Sequence, residues 1–292
     1  MKILICGAKG LLGNDCTNVL RDSYDVISLN SNELDITDPI NVMREIKYFD
    51  PEVIINCAAY TRVDDCEKNR EKARMINAFG AKNLALCTQN FGSKLIHIST
   101  DYVFDGRKSL PESYSEEDVP NPLCYYGQTK FEGEMMVSNF SKNYLIVRTS
   151  WMFGLNGSNF LKTMLRLAIK SPEKAIKVVN DQFGSPTWSK RLAIQINKLI
   201  DTNKKGIYHA TSEGFCSWYE MAKLFLQTMR LPFNIIPCTT EEYLTRAKRP
   251  KNSILENRKL KEEGINLMQD WKIDLKEFVY GFREILINEI SK

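Results

Sequence analysis

Tyr126 and Lys130, four residues apart in Tyr126-Gly127-Gln128-Thr129-Lys130, are the pair in this chain best suited to proton chemistry. On a helix, residues at this spacing project from one face. A free tyrosine has a pKa of about 10, too high for efficient proton exchange near neutrality. A cation beside it stabilises the phenolate and lowers that value, each unit corresponding to about 1.4 kcal/mol. The spacing alone also fits a surface aromatic–lysine pair. A second element favours chemistry: Ile98-Ser99-Thr100-Asp101-Tyr102-Val103-Phe104 closes an apolar run and delivers Thr100, whose hydroxyl can hold a carbonyl oxygen.

A third element lies at the start of the chain. Gly7-Ala8-Lys9-Gly10-Leu11-Leu12-Gly13 follows the first apolar run and opens a helical stretch. Glycines permit a tight turn and close approach of a pyrophosphate, and a helix N-terminus offers free N–H groups and a positive dipole end. The spacing is GxxGxxG rather than GxGxxG, and an ordinary structural turn shares it. Its position straight after the first strand favours a dinucleotide site. An acid at the end of the second strand would favour the free ribose hydroxyls of NAD. That strand ends in Leu29-Asn30-Ser31, without an acid, and Lys9 is placed to meet a 2′-phosphate. NADPH is therefore the expected cofactor, with NADH also accepted; a solvated loop lysine is the alternative reading of Lys9. Asp35-Ile36 follows closely enough to contact the adenine.

These residues need a scaffold that brings them to one edge. Apolar runs at 2–6, 25–29, 52–56, 94–99 and 144–149 alternate with helical patterns at 11–21, 39–49, 68–91 and 125–139. Asp38 before Pro39 marks a helix start. Near-continuous apolar strands alternating with helices predict an α/β fold, a doubly wound, Rossmann-like parallel sheet covered on both faces. Ligands in such sheets bind beyond the strands' carboxyl ends, where Gly7, Ala58-Ala59, Thr100-Asp101 and Ser150-Trp151 fall. After about residue 150 the strands become short and scattered (177–179, 206–209, 234–236) among helices at 160–170, 190–201, 217–229 and 274–290. Residues 1–150 are thus expected to form a dinucleotide-binding domain. Residues 151–292 are expected to form mainly a smaller, discontinuous substrate-binding region, with parts returning to the sheet.

Composition bounds the rest. Apolar residues at 43% and charged residues at 26% argue for a globular chain and against disorder or fibre. A net charge of +4 with interspersed signs is too mild for a nucleic-acid partner. No run approaches the roughly 18 apolar residues of a membrane span, and Met1–Gly7 lacks the features of a signal peptide, so a cytoplasmic protein is expected. The eight cysteines form no CxxC pair and only two histidines accompany them, so neither a zinc site nor a disulfide framework is expected.

Taken together, the glycine loop, Asn56-Cys57-Ala58-Ala59, Ser99-Thr100-Asp101 and Tyr126xxxLys130 resemble the extended short-chain dehydrogenases/reductases. Further segments resemble the dTDP-4-dehydrorhamnose reductase branch of that family: Ala58-Ala59-Tyr60-Thr61-Arg62-Val63-Asp64, Ser99 through Gly106, Arg148-Thr149-Ser150-Trp151, Asn159-Phe160, Asn180 through Thr187, and Arg249-Pro250-Lys251-Asn252-Ser253. The likeness runs from Lys2 to about residue 285. It implies reduction of the C4 ketone of dTDP-4-dehydro-6-deoxy-L-mannose to dTDP-L-rhamnose by NADPH or NADH. By that resemblance Tyr126 donates the proton, Lys130 lowers its pKa and binds the nicotinamide ribose, and Thr100 holds the ketone oxygen. Gly7, Lys9, Gly10, Leu11, Leu12, Gly13, Asn30, Asp35, Ile36, Ala58, Ala59 and Tyr60 are the implied cofactor residues, with Tyr126 and Lys130. Thr61, Val63, Asp64, Thr100, Tyr102, Trp151 and Asn159 are implied to contact the sugar, and Arg249 the diphosphate. For Trp151 an ordinary core aromatic, and for Arg249 a solvated charge in a basic run, are the alternatives.

Some relatives bind Mg2+ at a dimer interface through several glutamates. The matching stretches here are Asn14-Asp15 and the basic Trp188-Ser189-Lys190-Arg191, which leave one plausible ligand. A homodimer is compatible with the resemblance, but a magnesium-linked one is poorly supported. Two other readings stay open: a nucleotide-sugar epimerase or dehydratase of the same family, and a regulatory subunit like that of methionine adenosyltransferase.

Overall fold

The computed structural model describes residues 1–291. Five apolar runs become strands β1 (Lys2–Cys6), β2 (Asp25–Leu29), β3 (Val53–Asn56), β4 (Lys94–Thr100) and β5 (Tyr144–Thr149). Every residue of β3 and β4 is buried, as expected for strands covered on both faces. Gly206–His209 joins as a sixth strand beside β5. The order is Gly206–His209, β5, β4, β3, β1, β2, and every pairing is parallel.

This register sets the site. Cys6 lies opposite Leu29 and Asn56, and Thr100 opposite Thr149, so the loops that follow leave at one edge. The order reverses at β1: the chain runs to β2 on one side, then to β3 on the other. A crevice at such a switch point is where ligands bind in open α/β sheets.

Both faces are covered. On one, Leu12, Cys16 and Leu20 of the helix Leu11–Leu20 pack with Leu192, Ile196 and Leu199 of Ser189–Ile200. On the other, Val42, Ile46, Leu84, Ala85 and Val137 pack against Leu4, Ile54 and Leu95. Asp38 caps Pro39–Phe49, accepting from the Ile40 and Asn41 N–H groups. A further core gathers Phe153, Leu161, Leu165, Trp188, Phe225 and Phe278, all from beyond residue 150. All eight cysteines are free thiols.

One stretch departs from the sequence pattern. The single helix expected over 68–91 is Arg70–Arg74, then a π turn Met75–Phe79, then Gly80–Phe91. The wider turn carries buried Asn77, whose Oδ1 accepts from Tyr60 N at 2.8 Å and whose Nδ2 donates to Tyr60 O and to Thr129 Oγ1. Single π turns concentrate at functional sites, and this one fixes the loop after β3.

The helix Tyr125–Phe140 is anchored beneath the site. Glu134 accepts from Arg148 of β5 through two bonds, Nε at 2.8 Å and Nη2 at 2.6 Å, with both side chains buried. A fork of this kind holds the helix in fixed register against β5.

Candidate active site

Thr100 ends β4 and caps the short turn Asp101–Val103, accepting from Tyr102 N at 3.2 Å while its hydroxyl donates to Asp101 Oδ1 at 3.0 Å. Tyr126 lies in the first turn of Tyr125–Phe140 and Lys130 one turn further; both are buried. Gly127 lets the helix start so near: a Cβ there would lie 2.2 Å from Tyr102 O. Tyr102 meets Tyr126 edge to face, with centroids 5.5 Å apart.

The electrostatics revise one expectation. Lys130 Nζ donates to Ile98 O at 2.6 Å, and burial pushes its pKa down to about 8 while Glu134 and Cys57 act oppositely. At Tyr126 burial dominates and raises the phenol well above its ordinary value; hydrogen bonding with Thr100 lowers it, and Asp101 and Tyr102 raise it. The fourfold spacing therefore does not by itself yield an acidified phenol, because burial dominates at Tyr126. The phenol stays protonated, the form a proton donor requires.

Across the crevice, Gly7 takes a positive φ of 74° and packs against the β3 exit, where a Cβ would lie 2.8 Å from Ala58 N. Gly10 caps the helix Leu11–Leu20 with no side-chain bond, so the first N–H groups remain for a ligand. This cradle fits a dinucleotide pyrophosphate. A cleft of about 400 Å³, within the usual range for small-molecule sites, joins it to the Tyr–Lys pair. Its wall brings together Gly10, Leu11, Leu12, Ala59, Thr61, Val63, Thr100, Tyr102, Tyr126, Lys130, Trp151, Asn159 and Arg249.

Other expected residues stand elsewhere. Gly7 and Gly13 shape the turn behind the wall, and Lys9 is exposed. Ala58 N donates to Asn56 Oδ1, and Tyr60 OH to Asp65 Oδ2 at 2.6 Å. Asp35 accepts from Thr37 N and Oγ1, closing its own turn, and Ile36 is buried against Gly80. Asn30 takes part in a turn after β2 that brings an acid to the strand end from outside the strand. Glu33 folds back, its Oε2 accepting from Asn30 N at 2.8 Å and from Asn30 Nδ2. Asp64 is not on the wall: it accepts from Arg249 Nη2 at 2.8 Å and from Ala247 N at 2.9 Å.

The far wall is aromatic and cationic. Trp151 sits at a positive φ of 44°, costly for a bulky residue, and stacks on Trp218 with centroids 3.5 Å apart and planes 5° from parallel. Trp218, which also lines the cleft, is a partner that residue type alone did not disclose. Asn159 caps Phe160–Lys170, accepting from Lys162 N and donating to Gly154 O. Arg249 donates from Nη1 to Tyr102 OH at 3.2 Å, and its buried Nε has no bonding partner among the described residues. Asp15 accepts from Ser189 Oγ at 2.5 Å beside Lys190. With the neighbouring Ser189 and Lys190 supplying no second carboxylate, these residues do not fit a magnesium site.

A parallel sheet with a glycine cradle at its switch point, a strand-end threonine and a helical Tyr–Lys pair defines a short-chain dehydrogenase/reductase. The chain belongs to the RmlD substrate-binding-domain family, whose model matches residues 1–284. It is 42% identical to the dTDP-4-dehydrorhamnose reductase of Aggregatibacter actinomycetemcomitans, over 94% of this chain and 97% of that one. It is 40% identical to a spore coat polysaccharide biosynthesis protein of Bacillus subtilis, over 95% and 96%. The crystal structure of dTDP-4-dehydrorhamnose reductase from Bacillus anthracis in complex with NADP superposes with a TM-score of 0.92 at 42% identity, covering 96% of this chain and 99% of that one.

Proposed function

We infer that this chain is an NADPH-dependent reductase that converts the C4 ketone of dTDP-4-dehydrorhamnose to the alcohol of dTDP-L-rhamnose. The observation that carries this is one cleft in which Thr100, Tyr126 and Lys130 face the glycine cradle, in a chain akin over 94% of its length to a reductase of that name. Bound NADPH supplies the hydride.

The chain's residues supply the rest. Tyr126, buried and protonated, donates its proton to the oxygen that becomes an alkoxide. Thr100 offers a hydroxyl to the same oxygen; fixed donors at developing charge are often the largest catalytic term. Lys130, held by Ile98 O, orients the ribose hydroxyls and keeps a positive charge beneath the phenol. The uncapped N–H groups after Gly10, with Gly7 and Gly13 beneath, hold the pyrophosphate. Ala58, Ala59 and Tyr60, in the loop fixed by Asn77, lie along the dinucleotide, and Asp35 and Ile36 border the adenine. Lys9 and Asn30 flank the 2′ position. Thr61, Val63, Tyr102, Trp151 and Asn159 enclose the sugar. Arg249 binds the diphosphate, with Asp64 holding its guanidinium in place. The substrate is a charged, soluble nucleotide sugar, which suits a cytoplasmic enzyme without nucleic-acid or membrane partners; no helix among the described residues is long and apolar enough to cross a membrane. A homodimer is compatible with this reading.

The test is NADPH consumption on the dTDP-4-keto-6-deoxyhexose with a 3,5-epimerase present. Stoichiometric oxidation of NADPH with formation of dTDP-L-rhamnose is expected. Isomerisation without net loss of NADPH would assign the chain to the epimerases instead.

A further inference from the structure

Asp101 has no role in the scheme above, yet it lines the cleft with only 2% of its surface exposed. Its Oδ1 accepts from the Thr100 hydroxyl at 3.0 Å. Its Oδ2 is buried with no hydrogen-bond partner among the described residues. A buried carboxylate with one oxygen left unpartnered is costly, and native proteins keep one only where something recovers the cost.

The consequence falls on Thr100, which has one proton to donate. When that proton points at Asp101 it cannot point at a ketone oxygen. We propose that Asp101 is a positioning residue for ketone reduction: ionised, it draws the Thr100 hydroxyl onto itself, and neutral, it donates to Thr100 Oγ1 and turns that hydroxyl toward the substrate oxygen. The inference rests on the reductase reading of the same site.

The surroundings place this change in an accessible range. Burial raises the Asp101 pKa to about 6, against the opposing effect of the Ser253 and Thr100 hydroxyls and nearby backbone N–H groups. Tyr102 of the same turn, Tyr126 and Lys130 of the helix, and Arg249 line the cleft with the Thr100–Asp101 pair, and Cys124 and Cys66 act on the two tyrosines. Burial raises both tyrosines and both thiols, and lowers Lys130 only to about 8. Asp101 is therefore the group in this set that changes charge near pH 6.

The experiment has two arms. Single-turnover hydride transfer from NADPH to the dTDP-4-keto sugar is measured from about pH 5 to about pH 8.5 for wild type and Asp101→Asn. Wild type loses rate above about pH 6, approaching tenfold per unit where only the neutral form is productive. Asp101→Asn, whose amide donates to Thr100 at every pH, loses this limb and is at least about tenfold faster than wild type near pH 7.5. A limb that persists, or a uniform loss that leaves the profile's shape unchanged, overturns the proposal. The second arm needs no substrate: carboxyl-carbon NMR follows the Asp101 titration in wild type and Thr100→Val. Removing the Thr100 donor, which favours the ionised form, is expected to move the Asp101 titration upward; an unmoved titration overturns the proposal. A wild type that does not reduce the keto sugar would fail the reductase reading, and the NMR arm would still decide whether Thr100 and Asp101 are coupled.

Discussion

Gly13 allows a quantitative test of the cofactor cradle. A Cβ at this position would lie 2.3 Å from Gly7 O and 2.9 Å from Ala8 Cα. Both are backbone atoms, so no side-chain rotation relieves the clash, and the oxygen must retreat by roughly 1 Å to reach ordinary contact. Gly7 O also accepts from Gly10 N at 2.9 Å, so its retreat opens the whole turn. Forcing one extra carbon into a packed site costs about 1–3 kcal/mol. If that cost falls on the cofactor-competent turn, Gly13→Ala weakens NADPH binding by about 5- to 150-fold. Gly281→Ala is the control: nothing lies within 4 Å of its would-be Cβ, and it sits inside the helix Trp271–Ser291. That change is expected to leave NADPH affinity alone and to stabilise the fold by up to about 1 kcal/mol. Calorimetric titration with NADPH and a thermal melt read both variants. A Gly13→Ala protein with wild-type affinity and melting temperature would refute the argument that the turn is sterically fixed.

Three further expectations follow from named contacts. Burial, with Arg148 adding to it, pushes His209 down to about 3; because the folded value lies below the unfolded one, its contribution is fully present above about pH 6.5 and is lost as pH falls toward 3. Urea unfolding at about pH 7 and about pH 4.5 should therefore show His209→Gln losing about 2–3 kcal/mol less than wild type, and equal losses would contradict this. Glu134→Gln leaves Arg148 charged and buried with one good acceptor fewer, so unfolding free energy should drop by about 3–5 kcal/mol; a drop under about 1 kcal/mol would mean that the pair does not anchor the catalytic helix. Lys9→Ala should lower the NADPH-to-NADH ratio of kcat/KM by roughly tenfold, and an unchanged ratio would remove Lys9 from the cofactor site.

Much of this architecture was legible in the chain. The apolar runs became β1 to β5 with ends shifted by at most a residue, since strands covered on both faces read as near-continuous apolar runs. Asp38-Pro39 marked a helix start because capping chemistry is local. What stayed hidden depends on residues brought together from afar. Asn77 is an unremarked polar residue inside a helical pattern until a π turn carries it to Tyr60. Glu33 lies outside β2, and only a turn returns its carboxylate to the strand end. Trp218 meets Trp151 across 67 positions. The burial of Tyr126, which raises its phenol above the ordinary value, is hidden for the same reason: helical spacing announces a lysine one turn on, but not the desolvation.

The central claim is that Tyr126 protonates a ketone held by Thr100 while NADPH delivers hydride, and Tyr126→Phe tests it most directly. The ring and its packing on Tyr102 are kept; only the hydroxyl is lost. Single-turnover hydride transfer on dTDP-4-dehydrorhamnose should fall by about 100-fold or more, with NADPH affinity within about twofold of wild type. Transfer at the wild-type rate in Tyr126→Phe would contradict the account.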